Sequence, residues 1–123
     1  MNNASPQQFA SAATDVGEFL SDLDAGVFER KLSVALSQAA AAVVDHDKVG
    51  EVVVKFSLKK VGGTSQVTCS HQLKFSRPTS TGKVSEEDSR YTVLHVGKNG
   101  RLSLVPETQG DFFKTSERPS AKA

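Results

Sequence analysis

The 123-residue chain is poor in the residues that mark several protein classes, with one cysteine, one tyrosine and no tryptophan. The single Cys69 excludes an internal disulfide and indicates a reducing compartment. The longest apolar run, residues 39–44, is far shorter than the roughly 20 residues that span a bilayer. The N-terminus also lacks the charged and apolar regions of a signal peptide. We therefore expect a cytoplasmic protein.

Motifs of catalysis and cofactor binding are also missing. The sequence contains no phosphate-binding glycine loop, no G-x-S-x-G turn and no H-E-x-x-H pair. The carboxylate run Glu86-Glu87-Asp88 lies in a polar segment and is interpreted as a solvated loop. We expect no enzymatic activity and no cofactor.

Charge is unevenly distributed along the chain. The net charge is +1, but residues 1–50 carry −4 and residues 51–123 carry +5. No carboxylate lies between Glu51 and Glu86, where six cations occur. Such a one-signed region is a hint about partners rather than about fold.

Residues 51–76 alternate apolar and polar side chains in two runs, which predicts a β-hairpin. Gly62-Gly63 between the runs favours a two-residue turn. That turn would place Val52 opposite Leu73 and Phe56 opposite Cys69. One face is then apolar, with the side chains Val52, Val54, Phe56, Leu58, Val67, Cys69, His71, Leu73 and Phe75.

The other hairpin face is polar and basic, and it is the best candidate for a functional site. Its lysines are Lys55, Lys59 and Lys74, and Arg77 and Lys83 extend the same track. Lysine charge and hydroxyl donors suit phosphate contacts, so DNA binding is predicted here. The alternative is an ordinary solvated sheet face, and these two strands offer no aromatic platform for bases.

Two helices are predicted before the hairpin. Ser5 and Pro6 resemble a helix N-terminus, and apolar spacing extends that helix to Leu23. The segment 23–26 predicts a break, and a stronger helix follows from about Phe28 to about Asp45.

After the hairpin, Pro78 is expected to end the strand and residues 78–89 to form a mobile surface loop. A third strand is predicted at 90–96, a tight turn at Asn99-Gly100, and a short fourth strand or a simple return at 101–105. The expected fold is an α+β two-layer sandwich of order ααβββ(β), formed by residues 5–105 as one domain. Residues 1–4 are expected to be disordered, and 106–123 to be a flexible tail. Two free sheet edges predict a homodimer.

Two further groups of residues have both a functional and a structural interpretation. Cys69, His71 and His95 form the one metal-like set, and they would bind zinc only if all three shared a face; a histidine at the core margin is the favoured interpretation. Phe112-Phe113 interrupts the polar tail, and this pair either folds back onto the domain or binds a partner.

Several short patterns resemble a group of small, uncharacterised phage and prophage proteins. The matching segments are a Leu-x-x-Gly helix start at 23–26, a helix end at Asp45, a strand start at 50–54, a Lys/Pro segment at 74–78 and a turn at 99–102. Those proteins come from replication and recombination regions, and some carry a replication-terminator label. The resemblance implies an αβββ fold and a role in mobile elements.

Together these features predict a non-enzymatic phage or mobile-element accessory protein that binds DNA through the basic sheet face. The alternative is a protein-interaction module, an inhibitor or adaptor of a host or replication protein, which acts through its helical face or its tail.

Overall fold

A computed structural model describes residues 13–106 of the chain. Two helices lie on one side of a four-stranded antiparallel sheet, so the predicted α+β sandwich is confirmed. The strands follow one another as a meander in the order β1-β2-β3-β4. The elements are α1 (Val16–Asp22), a 3-10 turn (Leu23–Gly26), α2 (Val27–His46), β1 (Glu51–Lys60), β2 (Gln66–Pro78), β3 (Lys83–Val96), a second 3-10 turn (Lys98–Gly100) and β4 (Leu102–Ser103).

The first described helix is shorter than predicted. Residues 13–15 are not helical, and the Asp15 carboxylate caps α1 by accepting a hydrogen bond from the Glu18 amide at 3.3 Å. A single helix reaching Leu23 from Pro6 is therefore wrong. The predicted cap at Ser5 lies outside the described residues.

The predicted break between the helices is confirmed as a left-handed turn. Asp24, Ala25 and Gly26 have φ values of 50°, 54° and 86°, a conformation that costs L-residues other than glycine about 1–2 kcal/mol each. The turn is tied to the sheet because the Asp24 amide donates to Thr92 Oγ1 at 2.9 Å. Leu23, at the start of the turn, is fully buried.

The second helix starts and ends within a residue of its predicted bounds. Asp47 ends it in a left-handed conformation, donating its amide to the Val43 carbonyl. The chain then passes Gly50, where a Cβ would lie 2.9 Å from Val43 Cγ2 and 3.1 Å from the Ser76 carbonyl oxygen. Glycine is required there because the helix end and the sheet approach so closely.

The hairpin has the predicted faces but a different register. Val54 lies opposite Leu73 and Phe56 opposite His71, which is a shift of two residues from the predicted pairs. The Val61 amide donates to the Gln66 carbonyl at 2.9 Å, so the connection is the four residues 62–65 and the predicted two-residue turn is wrong. Because side chains alternate with period two, a shift of two leaves every side chain on its predicted face.

The third strand is twice as long as predicted. It begins at Lys83, and β2 turns into it through only four residues, with the Thr79 amide donating to the Gly82 carbonyl at 2.8 Å. The predicted mobile loop at 78–89 is therefore wrong. The strand was not predicted because charged side chains interrupt its apolar face. Glu86 and Asp88 lie on the helix side of the sheet, where they pair with Arg77 and Lys31.

The core lies between α2 and the centre of the sheet. Its buried members are Phe19, Leu23, Phe28, Ala35, Cys69, Leu73 and Leu94. Phe56 on β1 closes one side of this core, with its ring 5.1 Å from that of Phe19, although 41% of the residue is exposed. No helix within residues 13–106 is both long and apolar enough to cross a membrane.

Candidate nucleic-acid interface

The helices cover one side of the sheet, and no element within residues 13–106 covers the other side, which we call the open sheet face. Four of the five predicted DNA-contacting cations lie on it. Alternation from the buried positions places Lys55 and Lys59 of β1, Lys74 of β2 and Lys83 of β3 there, and all four are exposed. The strands thus bring lysines from three elements onto one surface.

Arg77 is the exception, and its predicted place in this track is wrong. It follows Leu73 and Phe75 at even spacing, so it points to the helix side of the sheet. There it pairs with Glu86, and its guanidinium lies 6.0 Å from the Phe75 ring centre. An arginine held in this way contributes to the strand pairing rather than to the open sheet face.

Small polar side chains fill the space between the lysines. Lys55 borders a shallow depression of about 160 Å³ whose other lining residues are Ser57, Ser70, Gln72 and Ser89. Hydroxyl and amide groups of this kind donate hydrogen bonds to phosphate oxygens and sugars. The centre of the open sheet face is therefore neutral, donor-rich and bordered by positive charge.

The third strand adds an aromatic side chain, Tyr91, to the open sheet face. Tyr91 lies opposite Ser70 on the open sheet face and is 74% exposed. Val93 follows on the same face, opposite Thr68. The face of Tyr91 depends on the pairing of β3 with β2. The sequence did indicate Tyr91 as a candidate, because it is the chain's one tyrosine and lies in a predicted strand.

The same strand also adds negative charge. Glu87 lies opposite Lys74 and accepts a hydrogen bond from Gln72, and Glu51 lies on the same face at the start of β1. These carboxylates stand at the end of the sheet near Lys83. The part of the open sheet face around Lys55, Lys59 and Tyr91 carries lysines and, among the described residues, no carboxylate.

The metal-like set of cysteine and histidine is divided between the two sides of the sheet. Cys69 and His71 are buried under the helices, whereas His95 lies opposite Gln66 on the open sheet face, with Nε2 3.4 Å from the Gln66 amide nitrogen. The prediction that His95 could join the other two is wrong. Among the described residues, no three metal-ligating side chains come together.

His71 is instead a structural residue of the core. Only 2% of it is exposed, and its ring lies 5.2 Å from that of Phe28. Burial lowers the pKa of His71 below its ordinary value of 6.5, and the nearby Asp24 and Asp88 carboxylates partly oppose this. Burial likewise raises the pKa of the Cys69 thiol. Both side chains are therefore held in their neutral forms.

Comparison with known proteins identifies the family. The YfdP family profile matches residues 15–102, from the cap of α1 to the start of β4. The chain belongs to the YfdP family. It is 34% identical over 110 residues to the "uncharacterized protein YfdP" of Escherichia coli (strain K12), covering 89% of this chain and 91% of that protein. No solved structure matches the chain significantly. The resemblance to phage replication proteins stays a prediction.

The predicted partner-binding pair Phe112-Phe113 lies outside the described residues, as do the predicted disordered start and most of the predicted tail. Within residues 13–106, the candidate nucleic-acid interface is the open sheet face.

Proposed function

We propose that this YfdP-family protein is a non-enzymatic accessory protein, of phage or mobile-element origin, that binds DNA in the cytoplasm through its open sheet face. The observation that supports this most is that four exposed lysines from three strands share one sheet surface with the exposed Tyr91, and that no helix within residues 13–106 covers this surface.

Lysines supply the sequence-independent part of such binding. Each lysine that neutralises a phosphate releases a counterion, so the affinity falls steeply with salt. The open sheet face carries four lysines and two carboxylates, Glu51 and Glu87. This modest excess of positive charge supports weak, salt-sensitive binding rather than the high affinity of a strongly basic protein.

Tyr91 supports single-stranded DNA as the substrate class. A flat sheet face exposes an aromatic ring to unpaired bases, and stacking of one base on such a ring contributes about 1–3 kcal/mol. The serines and Gln72 around it supply donors for the sugar-phosphate backbone. Duplex DNA offers no unstacked base to this ring.

The test is a fluorescence anisotropy titration of labelled single-stranded and duplex oligonucleotides of equal length, repeated over a salt series. We expect tighter binding to the single strand. The Tyr91→Ala variant should lose about tenfold or more in affinity for it, and the Tyr91→Phe variant should retain it because the ring remains. Absence of binding to either oligonucleotide at low salt would refute the proposal.

A second candidate function, protein interaction through the helical layer, is favoured by a groove of about 590 Å³ between α2 and the sheet. Val34, Leu73 and Phe75 give it an apolar floor, while Arg30 and Glu86 are among its charged rim residues. On this alternative the protein binds no DNA, and a host protein co-purifies with the wild type but not with a Val34→Glu variant. Val34 is suited to the test because it is exposed.

A further inference from the structure

Strand β1 forms an open edge of the sheet. Within residues 13–106 it pairs with β2 on one side and with no strand on the other. The hydrogen bond from Val61 to Gln66 sets the phase of the ladder: odd-numbered residues of β1 bond to β2, so Val54, Phe56 and Leu58 direct their amide and carbonyl groups outward. The edge contains no proline, and its register with β2 is unbroken, so no bulge protects it.

An apolar strip lies beside these free backbone groups. Phe56 is 41% exposed and Leu58 is 54% exposed, both on the helix side of β1. Leu36 of α2 is 52% exposed. Helical spacing puts Leu36 on the flank of α2 opposite Val34 and Gln38, which line the groove above β3, and therefore on the β1 side. Exposed apolar side chains and unpaired backbone groups thus occupy the same edge.

We propose that a second copy of this chain covers this edge, with the two β1 strands pairing antiparallel about a two-fold axis through Phe56. An isologous contact of this type closes on itself and joins two four-stranded sheets into one of eight strands. Phe56 lies opposite the partner's Phe56, and Val54 lies opposite the partner's Leu58. Each of these pairs combines two apolar side chains, and each lies at a position with free backbone donors and acceptors.

Charge favours this register over one that is shifted by two residues. Centred on Phe56, the pairing puts Lys55 opposite the partner's Ser57 and leaves Glu51 diagonally adjacent to the partner's Lys59, within reach of an ion pair. A shift of two residues centres the pairing on Lys55 and sets the two Lys55 side chains against each other, which is destabilising. Shifts by one residue are excluded because they put apolar side chains opposite polar ones.

The other edge of the sheet is less suited to a second copy. At one end β4 pairs with His95 and Val96 of β3. Along the rest of β3, three of the helix-side positions are charged, Glu86, Asp88 and Arg90, and Asp88 is already paired with Lys31. A contact of β1 with another copy's β3 would also leave free edges and produce open chains rather than a closed dimer.

The dimer has a consequence that rests on the proposed function. With the two-fold axis perpendicular to the sheet, both open sheet faces lie on one side, and Lys55 and Lys59 of each copy flank the seam. A single strand would then cross one continuous surface with a Tyr91 from each copy. Because lysines of both copies then line one surface, DNA binding to the dimer should weaken as salt is added.

Sedimentation equilibrium of the full chain without DNA tests the dimer. We expect the wild type to be dimeric and the Leu58→Lys variant to dissociate at least roughly 100-fold more readily, because each dimer loses two buried leucines at roughly tenfold each. Val84→Lys is the matched control: Val84 is exposed on the same side of β3, away from β1, and its variant should remain dimeric. A monomeric wild type, or equal loss in both variants, would overturn the proposal.

Cysteine cross-linking tests the register. Lys55 and the partner's Ser57 form a pair without mutual hydrogen bonds, whose Cα atoms are about 4.5 Å apart, a distance within the range of disulfides. The Lys55→Cys/Ser57→Cys variant should therefore give a covalent dimer on oxidation, and Lys55→Cys alone should not. Cross-linking of Lys55→Cys alone would show the Lys55-centred register instead. Neither experiment contains DNA. The dimer proposal can therefore be refuted while the proposed DNA binding holds, and DNA binding can be refuted while the dimer proposal holds.

Discussion

The imidazole of His71 and the hydroxyl of Thr92 meet inside the fold, with Nε2 3.0 Å from Oγ1. The same hydroxyl accepts the amide hydrogen of Asp24 at 2.9 Å. One threonine of β3 thereby joins a buried side chain of β2 to the left-handed turn between the helices. The contact links the two layers through polar groups at a place where the rest of the core is apolar.

Acid should destabilise the fold through His71. Burial holds its folded-state pKa below the ordinary value of 6.5, so the unfolded chain takes up the proton first as the pH falls. The contribution of neutral His71 is complete above that value and is lost as the pH falls through it toward the folded-state pKa. Urea unfolding should show a lower midpoint at about pH 5 than at about pH 7.

His71→Gln is the control for this effect, because glutamine retains hydrogen-bonding capacity toward Thr92 and does not titrate. Its urea midpoint should change less over the same pH range. If wild type and variant lose stability in parallel, the acid sensitivity comes from other groups.

Replacing Ala25 by glycine should stabilise the protein. Ala25 adopts φ 54° in the left-handed turn, which costs about 1–2 kcal/mol, and glycine removes this cost while losing about 0.5–1 kcal/mol of chain entropy. The net gain in free energy of unfolding should be about 0.5–1 kcal/mol. Thermal or urea denaturation measures it.

Ala40→Gly provides the matched comparison for Ala25→Gly. Ala40 is an exposed residue in the interior of α2, where glycine costs about 1 kcal/mol. The same chemical change should therefore have opposite signs at the two positions. Destabilisation at both would show that Ala25 is not strained in solution.

Adding a methyl group at Gly50 should destabilise the contact between α2 and β2. The new Cβ would lie 2.9 Å from Val43 Cγ2, 3.1 Å from the Ser76 carbonyl oxygen and 3.3 Å from Pro78 Cδ. Relief of this overlap requires backbone movement, so Gly50→Ala should lower the free energy of unfolding by about 1–3 kcal/mol. Gly63→Ala, at a position with no atom within 4 Å of the new Cβ, should change it by less than about 0.5 kcal/mol.

Sequence periodicity predicted the parts of the fold in which one face is consistently apolar. Every second side chain in residues 52–58 and 67–75 is apolar except His71, so their faces were correct even though the register was shifted by two. The length of the turn at 62–65 could not be derived, because Gly62-Gly63 is compatible with either connection. Only Gly62 has a positive φ, whereas the predicted turn uses both glycines.

The first half of β3 gave no such signal. Glu86, Asp88 and Arg90 occupy helix-side positions that periodicity expects to be apolar. Asp88 pairs with Lys31 and Arg90 with Asp24, both in the distant helical segment, while Glu86 pairs with Arg77 across the turn between β2 and β3. Ion pairs between distant segments leave no local pattern, so this strand was predicted as a loop. Tyr91 and His95 lie in the half of β3 that was predicted as a strand, but the face that each occupies follows from the pairing of β3 with β2.

Arg77 is a different case, since its face could be derived from the sequence. It continues the odd-numbered series of Leu73 and Phe75, and alternation alone puts it on the helix side. The positive charge of Arg77 suggested that it lies on the basic face, but its position in the strand indicates the opposite face. Placing a residue by strand phase is more reliable than placing it by charge.

A comparison of Lys59→Glu with Lys60→Glu in DNA titrations over a salt series tests whether the open sheet face binds DNA. The two lysines are neighbours on β1 and both are exposed, but Lys59 lies on the open sheet face and Lys60 on the helix side. The two variants have identical composition. We predict that Lys59→Glu weakens binding strongly and reduces the salt slope by roughly one, while Lys60→Glu changes both only slightly. Equal effects of the two variants, or none from either, would contradict DNA binding by the open sheet face.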